Sequence, residues 1–208
     1  MLAKYYMTDR PEVLRFLESH GRYETAIDIG CASGALGASL IKAGLVGVCD
    51  GIEPNEGAAE VARTRLRHVW HGTLDAVSAQ VPWSNYNMIS MTDVLEHLSD
   101  PWAALRHLHT HTRSDCTLLL SVPNVRHYHV SLPLLLLGEF RYTDHGIMDR
   151  THLHLFTRNS LIKTLNECGW EVVKLGSHMK NRYRRWFMPT RALEPFVAVQ
   201  YLVIARKQ

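Results

Sequence analysis

Residues 25–34 read TAIDIGCASG, a short apolar run that ends at a glycine and is followed by small residues. The run predicts a strand over Thr25–Gly30, and the residues beyond it, Ala35–Ala43, predict a helix that ends at Gly44. Small residues between a strand and a helix let the backbone approach a ligand closely, and the amino end of the helix offers free N–H groups. The stretch therefore predicts a ligand-binding turn at the carboxyl end of the first strand.

Strand-like and helix-like segments alternate along the rest of the chain. Apolar runs predict further strands over Val46–Glu53, His68–Gly72, Tyr86–Val94, Cys116–Val122, Glu171–Gly176 and Phe196–Ala205. Helices are predicted over Asn55–Arg67, from the start signal Ser99, Asp100 and Pro101, and in the segment that Thr157 caps and Gly169 ends. Such alternation indicates an α/β fold, with an open and mostly parallel sheet and helices on both faces. Ligands bind at the carboxyl ends of the strands in folds of this class.

The length and composition narrow the class of protein. The 208 residues, of which 46% are apolar and 21% charged, predict a single globular domain over 1–208. The longest apolar stretch, Leu132–Leu137, is far shorter than the roughly 18 residues of a membrane-spanning helix, and the first residues lack the apolar core of a secretory signal. The four cysteines are far apart and form no CxxC pair. We therefore expect a reduced, cytoplasmic protein without a transmembrane segment.

The basic residues are unevenly distributed. A formal net charge of +3 is too small to indicate a nucleic-acid-binding protein, because binding to a phosphate backbone draws on many Lys and Arg contacts. Residues 180–191, the basic patch, nevertheless interleave cations with aromatic residues: Lys180, Arg182, Tyr183, Arg184, Arg185, Trp186, Phe187 and Arg191. The patch suits a solvated loop or a site for anionic sugar, phosphate or lipid groups. We expect no nucleic-acid partner, and an RNA partner is kept as an alternative.

Glu53 closes the second predicted strand, 23 residues after Gly30. An acidic side chain at that position accepts hydrogen bonds from both hydroxyls of a ribose. A nicotinamide-dependent oxidoreductase uses a similar turn, but its GxGxxG pattern is not met, because Gly30, Ala32 and Ala35 stand at those positions. That function is therefore disfavoured. A non-catalytic cofactor-binding domain is also left open.

The turn resembles the first motif, D/ExGxGxG, of the class I S-adenosylmethionine-dependent methyltransferases. Here the motif reads DxGxAxG, with Ala32 at the usual position of the middle glycine. The resemblance implies a Rossmann-like, seven-stranded sheet with an antiparallel last strand, and S-adenosyl-L-methionine as the cofactor. It also implies contacts to the three parts of that cofactor: Asp28, Gly30, Ala32 and Gly34 at the methionine, Glu53 at the ribose, and Thr73 and Leu74 at the adenine.

Two later segments extend the resemblance. Residues 92–101, TDVLEHLSDP, are similar to a segment of ubiquinone-type and related small-molecule methyltransferases, which implies that Asp93 faces the sulfonium of the donor. Glu96 and His97 in this segment either serve the site or only brace the loop. Residues 121–157 resemble bacterial methyltransferases associated with sugar and polysaccharide assembly, which implies O-methylation of a sugar or sugar-derived acceptor. Arg10, ahead of the first strand, is predicted to cover the cofactor and pair with a carboxylate.

The segment Pro123–Phe156, the acceptor segment, interrupts the rhythm of strands and helices, and we expect it to be a long loop that holds the acceptor. Methyl transfer to a hydroxyl needs a base, and histidine suits that role at neutral pH. His127, Asp149 and His152 are therefore the predicted catalytic residues, although such residues also knit loops together. Asp149, His152 and His154 offer metal ligands, but we assign no metal. A small-molecule or saccharide acceptor is the expected partner, and a homodimer is left open.

Overall fold

A computed structural model describes residues 10–179 and 193–208 of the chain. In chain order, the strands are β1 (Tyr23–Ile29), β2 (Val46–Glu53), β3 (Val69–His71), β4 (Met88–Thr92), β5 (Thr117–Pro123), β6 (Trp170–His178) and β7 (Gln200–Lys207). The helices are α1 (Pro11–Glu18), α2 (Ala35–Lys42), α3 (Glu56–Arg63), α4 (Leu74–Val77), α5 (Pro101–His111), α6 (Tyr128–Leu137), α7 (Arg158–Glu167) and α8 (Glu194–Val197). Short 3-10 turns cover Ser78–Gln80, Trp83–Asn85 and Leu95–His97.

The strands form one sheet in the order β3-β2-β1-β4-β5-β7-β6. Strands β1 to β5 are parallel, whereas β7 runs antiparallel between β5 and β6. This sheet confirms the predicted Rossmann-like fold with an antiparallel last strand. The strand order reverses between β1 and β4, and ligands bind at such a switch point in open α/β sheets. Asp28 of β1 pairs with Gly51 of β2 and Ser90 of β4, so it lies at this point.

Apolar side chains cover both faces of the sheet. In β5, Leu118 and Leu120 belong to one buried cluster and Leu119 belongs to the other. Neighbouring residues of a strand point to opposite faces, so an almost wholly apolar strand is the expected result when helices cover both sides. The same alternation places Ile27 and Ala26 of β1 in different clusters. The core therefore consists of two layers, and the polar residues gather at the strand ends.

The predicted helix starts are confirmed by their capping hydrogen bonds. Asn55 Oδ1 accepts from the Ala58 N–H at 2.9 Å, and Asp100 Oδ1 accepts from the Ala103 N–H at 2.8 Å. Thr157 caps α7, and the Thr157 backbone N–H in turn donates to Ser160 Oγ. Each cap satisfies a donor that the first helical turn leaves without a partner. These caps fix where the chain leaves the carboxyl-end loops and enters a helix.

The acceptor segment is not a continuous loop, because it contains helix α6. His127 caps this helix, and Gly138 ends it with a φ of 67°, a conformation that favours glycine. The sequence pattern hid the helix, since Pro133 lies inside it and its leucines lack the spacing of a one-sided helix. Several of these leucines face outward, and Leu135 is 79% exposed. The apolar stretch Leu132–Leu137 thus forms an exposed surface.

Only β2 has the predicted boundaries; the other strands begin or end one or two residues away, except the last, which begins four residues later than predicted. The strand predicted from Phe196 begins only at Gln200, because Pro195 stands in the first turn of α8. The strand predicted over Tyr86–Val94 is shorter at both ends. Tyr86 donates its hydroxyl to Asp50 Oδ2 at 2.6 Å, and Asp93 takes a left-handed conformation with a φ of 57°. Tyr86 keeps extended backbone angles but lies before the first paired residue of β4, whereas Asp93 leaves the extended geometry of a strand.

The basic patch lies within residues 180–192, which are outside the described residues. Across residues 10–179 and 193–208, no helix has the length and apolar character needed to cross a membrane.

Candidate functional site

We call the turn after β1, residues 28–34, the donor turn, because the sequence predicts that it binds the methyl donor. Gly30, Ala32 and Gly34 all have left-handed backbone conformations, with φ values of 70°, 50° and 74°. A Cβ atom at Gly30 would lie 2.6 Å from Val94 Cγ2, so this position admits only glycine. At Ala32 the left-handed conformation costs roughly 1 kcal/mol, which explains why glycine is the usual residue of the motif at this position. The turn keeps its shape despite the alanine.

Glu53 holds the donor turn against the end of β2. Its Oε2 accepts from the Ala32 N–H at 2.8 Å, and its Oε1 accepts from the Asn55 N–H at 2.9 Å. The side chain is only 5% exposed. Each carboxylate oxygen has a second lone pair that a ligand hydroxyl can use. The carboxylate is therefore fixed in position before any ligand arrives.

Asp28 is a buried acid at the centre of the sheet. It is 2% exposed, and its Oδ1 has no hydrogen-bond partner among the described residues. Burial raises the pKa of Asp28 to about 7, an effect that Ser90 and Arg10 oppose and that Glu53 strengthens. A carboxylate in this position is stabilised by a cation placed next to it.

Asp93 lies directly after β4 and is surrounded by donors. It accepts from Arg10 Nη1 at 2.8 Å, from Ser121 Oγ at 2.7 Å, and from Gln200 Nε2 at 2.8 and 2.9 Å. Arg10 also contacts Glu12 at 2.6 Å, so its guanidinium pairs with two carboxylates of the chain itself. The sequence did not predict the roles of Ser121 and Gln200. Neither residue lies in a motif, and both contact Asp93 from other strands.

The two residues predicted to contact the adenine, Thr73 and Leu74, follow the end of β3. Thr73 caps α4, with its Oγ1 accepting from the Ala76 N–H at 3.4 Å, and Leu74 is buried beside it. Nearby, His71 Nε2 lies 3.1 Å from the carbonyl oxygen of Pro54, which follows β2. The loops after β1, β2 and β3 therefore meet at one edge of the sheet.

His127 lies at the start of α6, next to the end of β5. It is buried, and its Nδ1 accepts from the His129 N–H at 3.3 Å. Its ring packs against Tyr128, with 4.5 Å between the ring centroids. Asn124, which sequence reasoning missed, fixes the preceding turn because its Nδ2 donates to the carbonyls of Pro195 and Ala198, both at 2.8 Å.

Asp149 and His152 lie together in a turn at the other end of the acceptor segment. Asp149 Oδ1 accepts from the Thr151 N–H at 2.9 Å and from its hydroxyl at 2.7 Å. His152 is buried, and it lines a shallow cavity of ≈ 550 Å³ with Tyr142, Arg150 and Leu153. The carboxylate of Asp149 thus shapes the turn, and the imidazole of His152 is the group that reaches the cavity.

His152 also meets residues of the segment that follows β4. Its ring centroid lies 4.8 Å from that of His97, next to Glu96. Glu96 is 1% exposed; burial, with help from Asp93, raises its pKa well above the ordinary value. Burial and the neighbouring His152 lower the pKa of His97. Glu96 and His97 are therefore packed against the acceptor segment.

The metal ligands considered from the sequence are not brought together. His154 Nε2 lies 3.3 Å from the Ser99 carbonyl oxygen, and its ring packs against Trp102. Within the described residues, the set that the structure gathers is Glu96, His97 and His152, rather than Asp149, His152 and His154. The signal in the sequence was the adjacency of Glu96 and His97, but their partner is remote along the chain.

The family follows from a comparison with known proteins. A family profile described as "Methyltransferase domain" matches residues 3–175. The chain belongs to this methyltransferase family. No curated protein matches the sequence of this methyltransferase significantly.

Solved structures of low sequence identity share the fold of this methyltransferase. A SAM-dependent methyltransferase from Archaeoglobus fulgidus matches with 16% identity and a TM-score of 0.66, over 95% of this chain and 92% of that one. One from Mesorhizobium loti matches with 13% identity and a TM-score of 0.65, over 96% and 97%. The YcgJ protein from Bacillus subtilis matches with 15% identity and a TM-score of 0.62, over 96% and 99%.

The enzyme is an S-adenosylmethionine-dependent methyltransferase, and its donor turn fits that cofactor. S-adenosylmethionine carries an ammonium and a sulfonium group together with a ribose. The unpartnered oxygen of Asp28 suits a cation, and the remaining lone pairs of Glu53 suit a pair of hydroxyls. The glycine at position 30 lets the turn pack against Val94, whose Cγ2 would lie 2.6 Å from a Cβ atom at this position.

Proposed function

We propose that the methyltransferase methylates a hydroxyl of a small polar acceptor, a sugar or sugar-derived compound. The observation that carries this proposal is the shallow, open cavity of ≈ 550 Å³ that Tyr142, Arg150, His152 and Leu153 line. A phenol, a guanidinium and an imidazole are hydrogen-bonding groups suited to a polyhydroxylated ligand.

The proposed donor site follows the carboxyl ends of the first four strands. Glu53 accepts from the ribose, and Thr73 and Leu74 border the adenine. The methionine part lies along Asp28, Gly30, Ala32 and Gly34, where the backbone is open and the buried acid faces a cation. Asp93 and Arg10 close this site from the side of β4, their mutual ion pair at 2.8 Å keeping both side chains in place.

The acceptor is held by residues on the other side of the switch point. When bound, S-adenosylmethionine supplies an electrophilic methyl group on a sulfonium. His127 takes the proton of the acceptor hydroxyl on Nδ1, the nitrogen that carries its lone pair, after giving up the hydrogen bond from the His129 N–H. It is the histidine nearest along the chain to the end of β5, where the two ligands meet. Asp149 holds the turn that presents His152, and His152 orients the acceptor within the cavity. Positioning and removal of the proton are what the protein adds to an in-line displacement.

Transfer from labelled S-adenosylmethionine to a panel of sugars, nucleotide sugars and an RNA oligonucleotide tests the proposal. We expect label in a sugar-type acceptor, and a methyl ether in the product by mass spectrometry and NMR. His127→Ala should lower the turnover number about 100-fold and leave the donor affinity unchanged, as loss of a general base does. His129→Ala is the matched control, since His129 is the adjacent histidine of the same helix.

Three results would contradict the proposal. Label that enters only the RNA would assign a macromolecular acceptor. Label recovered as N-methyl product would remove the hydroxyl acceptor. A His127→Ala protein that loses folding and donor affinity as much as turnover would show that His127 is only the cap of α6.

A further inference from the structure

Glu96, His97 and His152 form a cluster where the 3-10 turn after β4 meets the acceptor segment. Each offers one ligand atom, and the three atoms lie within 4.8 Å of one another. Two backbone hydrogen bonds hold the segments together, because the Glu96 carbonyl accepts from Leu153 N–H at 2.8 Å and from His154 N–H at 3.0 Å. We propose that Glu96, His97 and His152 bind a divalent transition metal ion.

The carboxylate of Glu96 is the strongest indication that the cluster binds a cation. Neither of its carboxylate oxygens has a hydrogen-bond partner among the described residues, although the side chain is almost wholly buried. Buried carboxylates are ordinarily paired, hydrogen-bonded or coordinated to a metal, since burial of an isolated charge is very unfavourable. Arg10 does not meet this need, because it pairs with Asp93 and Glu12. A metal cation gives Glu96 the partner that it lacks.

Both histidines are prepared as metal ligands by their backbone contacts. His97 Nδ1 lies 3.1 Å from the Thr151 carbonyl oxygen, and His152 Nδ1 lies 2.9 Å from the Ile147 carbonyl oxygen. A carbonyl oxygen only accepts, so each Nδ1 must carry the proton and donate it. The lone pair is then on Nε2 of each ring, and this outer hydrogen bond is the arrangement that orients metal-binding histidines.

The donor set indicates the class of metal. Two imidazole nitrogens and one carboxylate suit Zn²⁺ and its transition-metal neighbours, whereas Mg²⁺ and Ca²⁺ prefer oxygen ligands alone. Two metal–ligand bonds of about 2.1 Å at a tetrahedral angle place their ligand atoms about 3.4 Å apart. A pair of ligand atoms 4.8 Å apart therefore closes by about 1.4 Å when the ion binds.

The position of His152 gives the metal a role in the reaction. His152 belongs both to the cluster and to the lining of the acceptor cavity, so a metal held by the cluster would lie beside that cavity. A site with three protein ligands and an open position binds a ligand oxygen and lowers the pKa of its proton. This role rests on the proposed hydroxyl acceptor, whereas the binding of the metal does not.

The experiment measures metal binding to the full chain without donor or acceptor. After treatment with EDTA and its removal, the protein is titrated calorimetrically with ZnCl₂ and with MnCl₂. We expect one tight site per chain, and a rise in melting temperature of about 5–10 °C at a metal concentration 100-fold above Kd. His152→Ala and Glu96→Gln should each weaken binding at least 10-fold. Glu96→Gln should keep or raise the melting temperature of the metal-free protein, because it removes a buried acid.

His111→Ala is the matched control, because His111 and His107 stack at 4.1 Å on α5 and offer imidazole ligands away from the cluster. This variant should keep the tight site. Absence of stoichiometric binding to the wild type would overturn the proposal. So would binding that survives in folded His152→Ala and Glu96→Gln proteins, or that is lost in His111→Ala. Each result is independent of whether a sugar is the acceptor, so failure here and failure of the proposed function are separable.

Discussion

Two buried acids stand on opposite sides of the switch point, and both lack partners. Asp28, in the donor turn, and Glu96, against the acceptor segment, each have oxygen atoms without hydrogen-bond partners among the described residues. Burial raises the pKa of both carboxyl groups. Their surroundings differ, because Asp28 faces a backbone turn and Glu53, whereas Glu96 faces two imidazoles. The cations proposed for the two acids differ accordingly: an organic cation of the donor for Asp28 and a metal ion for Glu96.

The largest effect is expected from Asp28→Asn, which removes the acid but keeps its shape. The folded-state pKa of Asp28, about 7, is above the ordinary 3.8, so ionisation opposes folding. Below about pH 4 this penalty is absent; it grows as the pH rises and is complete above pH 7. Asp28→Asn should therefore be more stable than the wild type by up to ~4 kcal/mol at pH 8. Denaturant unfolding at pH 5 and pH 8 checks this.

Asp28→Asn also tests whether Asp28 contacts the donor. If Asp28 holds a cation of the donor, Asp28→Asn should bind S-adenosylmethionine more weakly while it gains stability. A gain in stability that is equal at both pH values would contradict the titration. An unchanged donor affinity would leave Asp28 with a purely structural position in the sheet.

A smaller effect is expected from Glu53→Gln. The change replaces one acceptor oxygen by a donor, which weakens hydrogen bonds to the ribose and to the Ala32 and Asn55 N–H groups. Loss of hydrogen bonds to a charged group costs about 1–3 kcal/mol, or roughly 5- to 150-fold in donor affinity by calorimetry. Glu56→Gln, an exposed acid in the first turn of α3, is the matched control. Equal affinities in wild type and Glu53→Gln would remove Glu53 from the donor site.

The smallest effect is expected on the exposed face of α6. Leu135→Ser should change the free energy of unfolding by no more than about 0.5 kcal/mol, because the side chain is already in water. Leu161→Ala, in the buried face of α7, should cost about 2–5 kcal/mol in the same measurement. A large loss for Leu135→Ser would mean that another surface covers this helix.

The donor half was predictable because its signals are local. The spacing of Asp28, Gly30 and Gly34 reports a turn, and Glu53 closes the neighbouring strand of the same sheet. Strand alternation and capping residues then gave the order of elements, since both act over a few positions. The left-handed conformation of Ala32 was not predicted, because alanine rarely adopts it.

The contacts of Asp93 and the structure of the acceptor segment were less predictable, because they depend on residues that are distant along the chain. Gln200 reaches Asp93 across 107 positions, and nothing in the sequence near either residue marks the pair. Helix α6 lacks one-sided spacing, since most of its leucines face solvent rather than a core. The sequence singled out His152 as a candidate catalytic residue, but its contacts with Glu96 and His97 depend on how the segments fold together.

The antiparallel strand β7 has a consequence for biosynthesis. It pairs with β5 on one side and β6 on the other, and it follows both of them in the sequence. A ribosome therefore completes every other strand while β5 still has an open edge and β6 has no neighbour. Such edges favour mispairing with other chains. The first residue of β7, Gln200, also completes the contacts of Asp93. A nascent chain that stops short of β7 is thus a client for chaperones or proteases, and the polar network at the switch point forms only with its last strand.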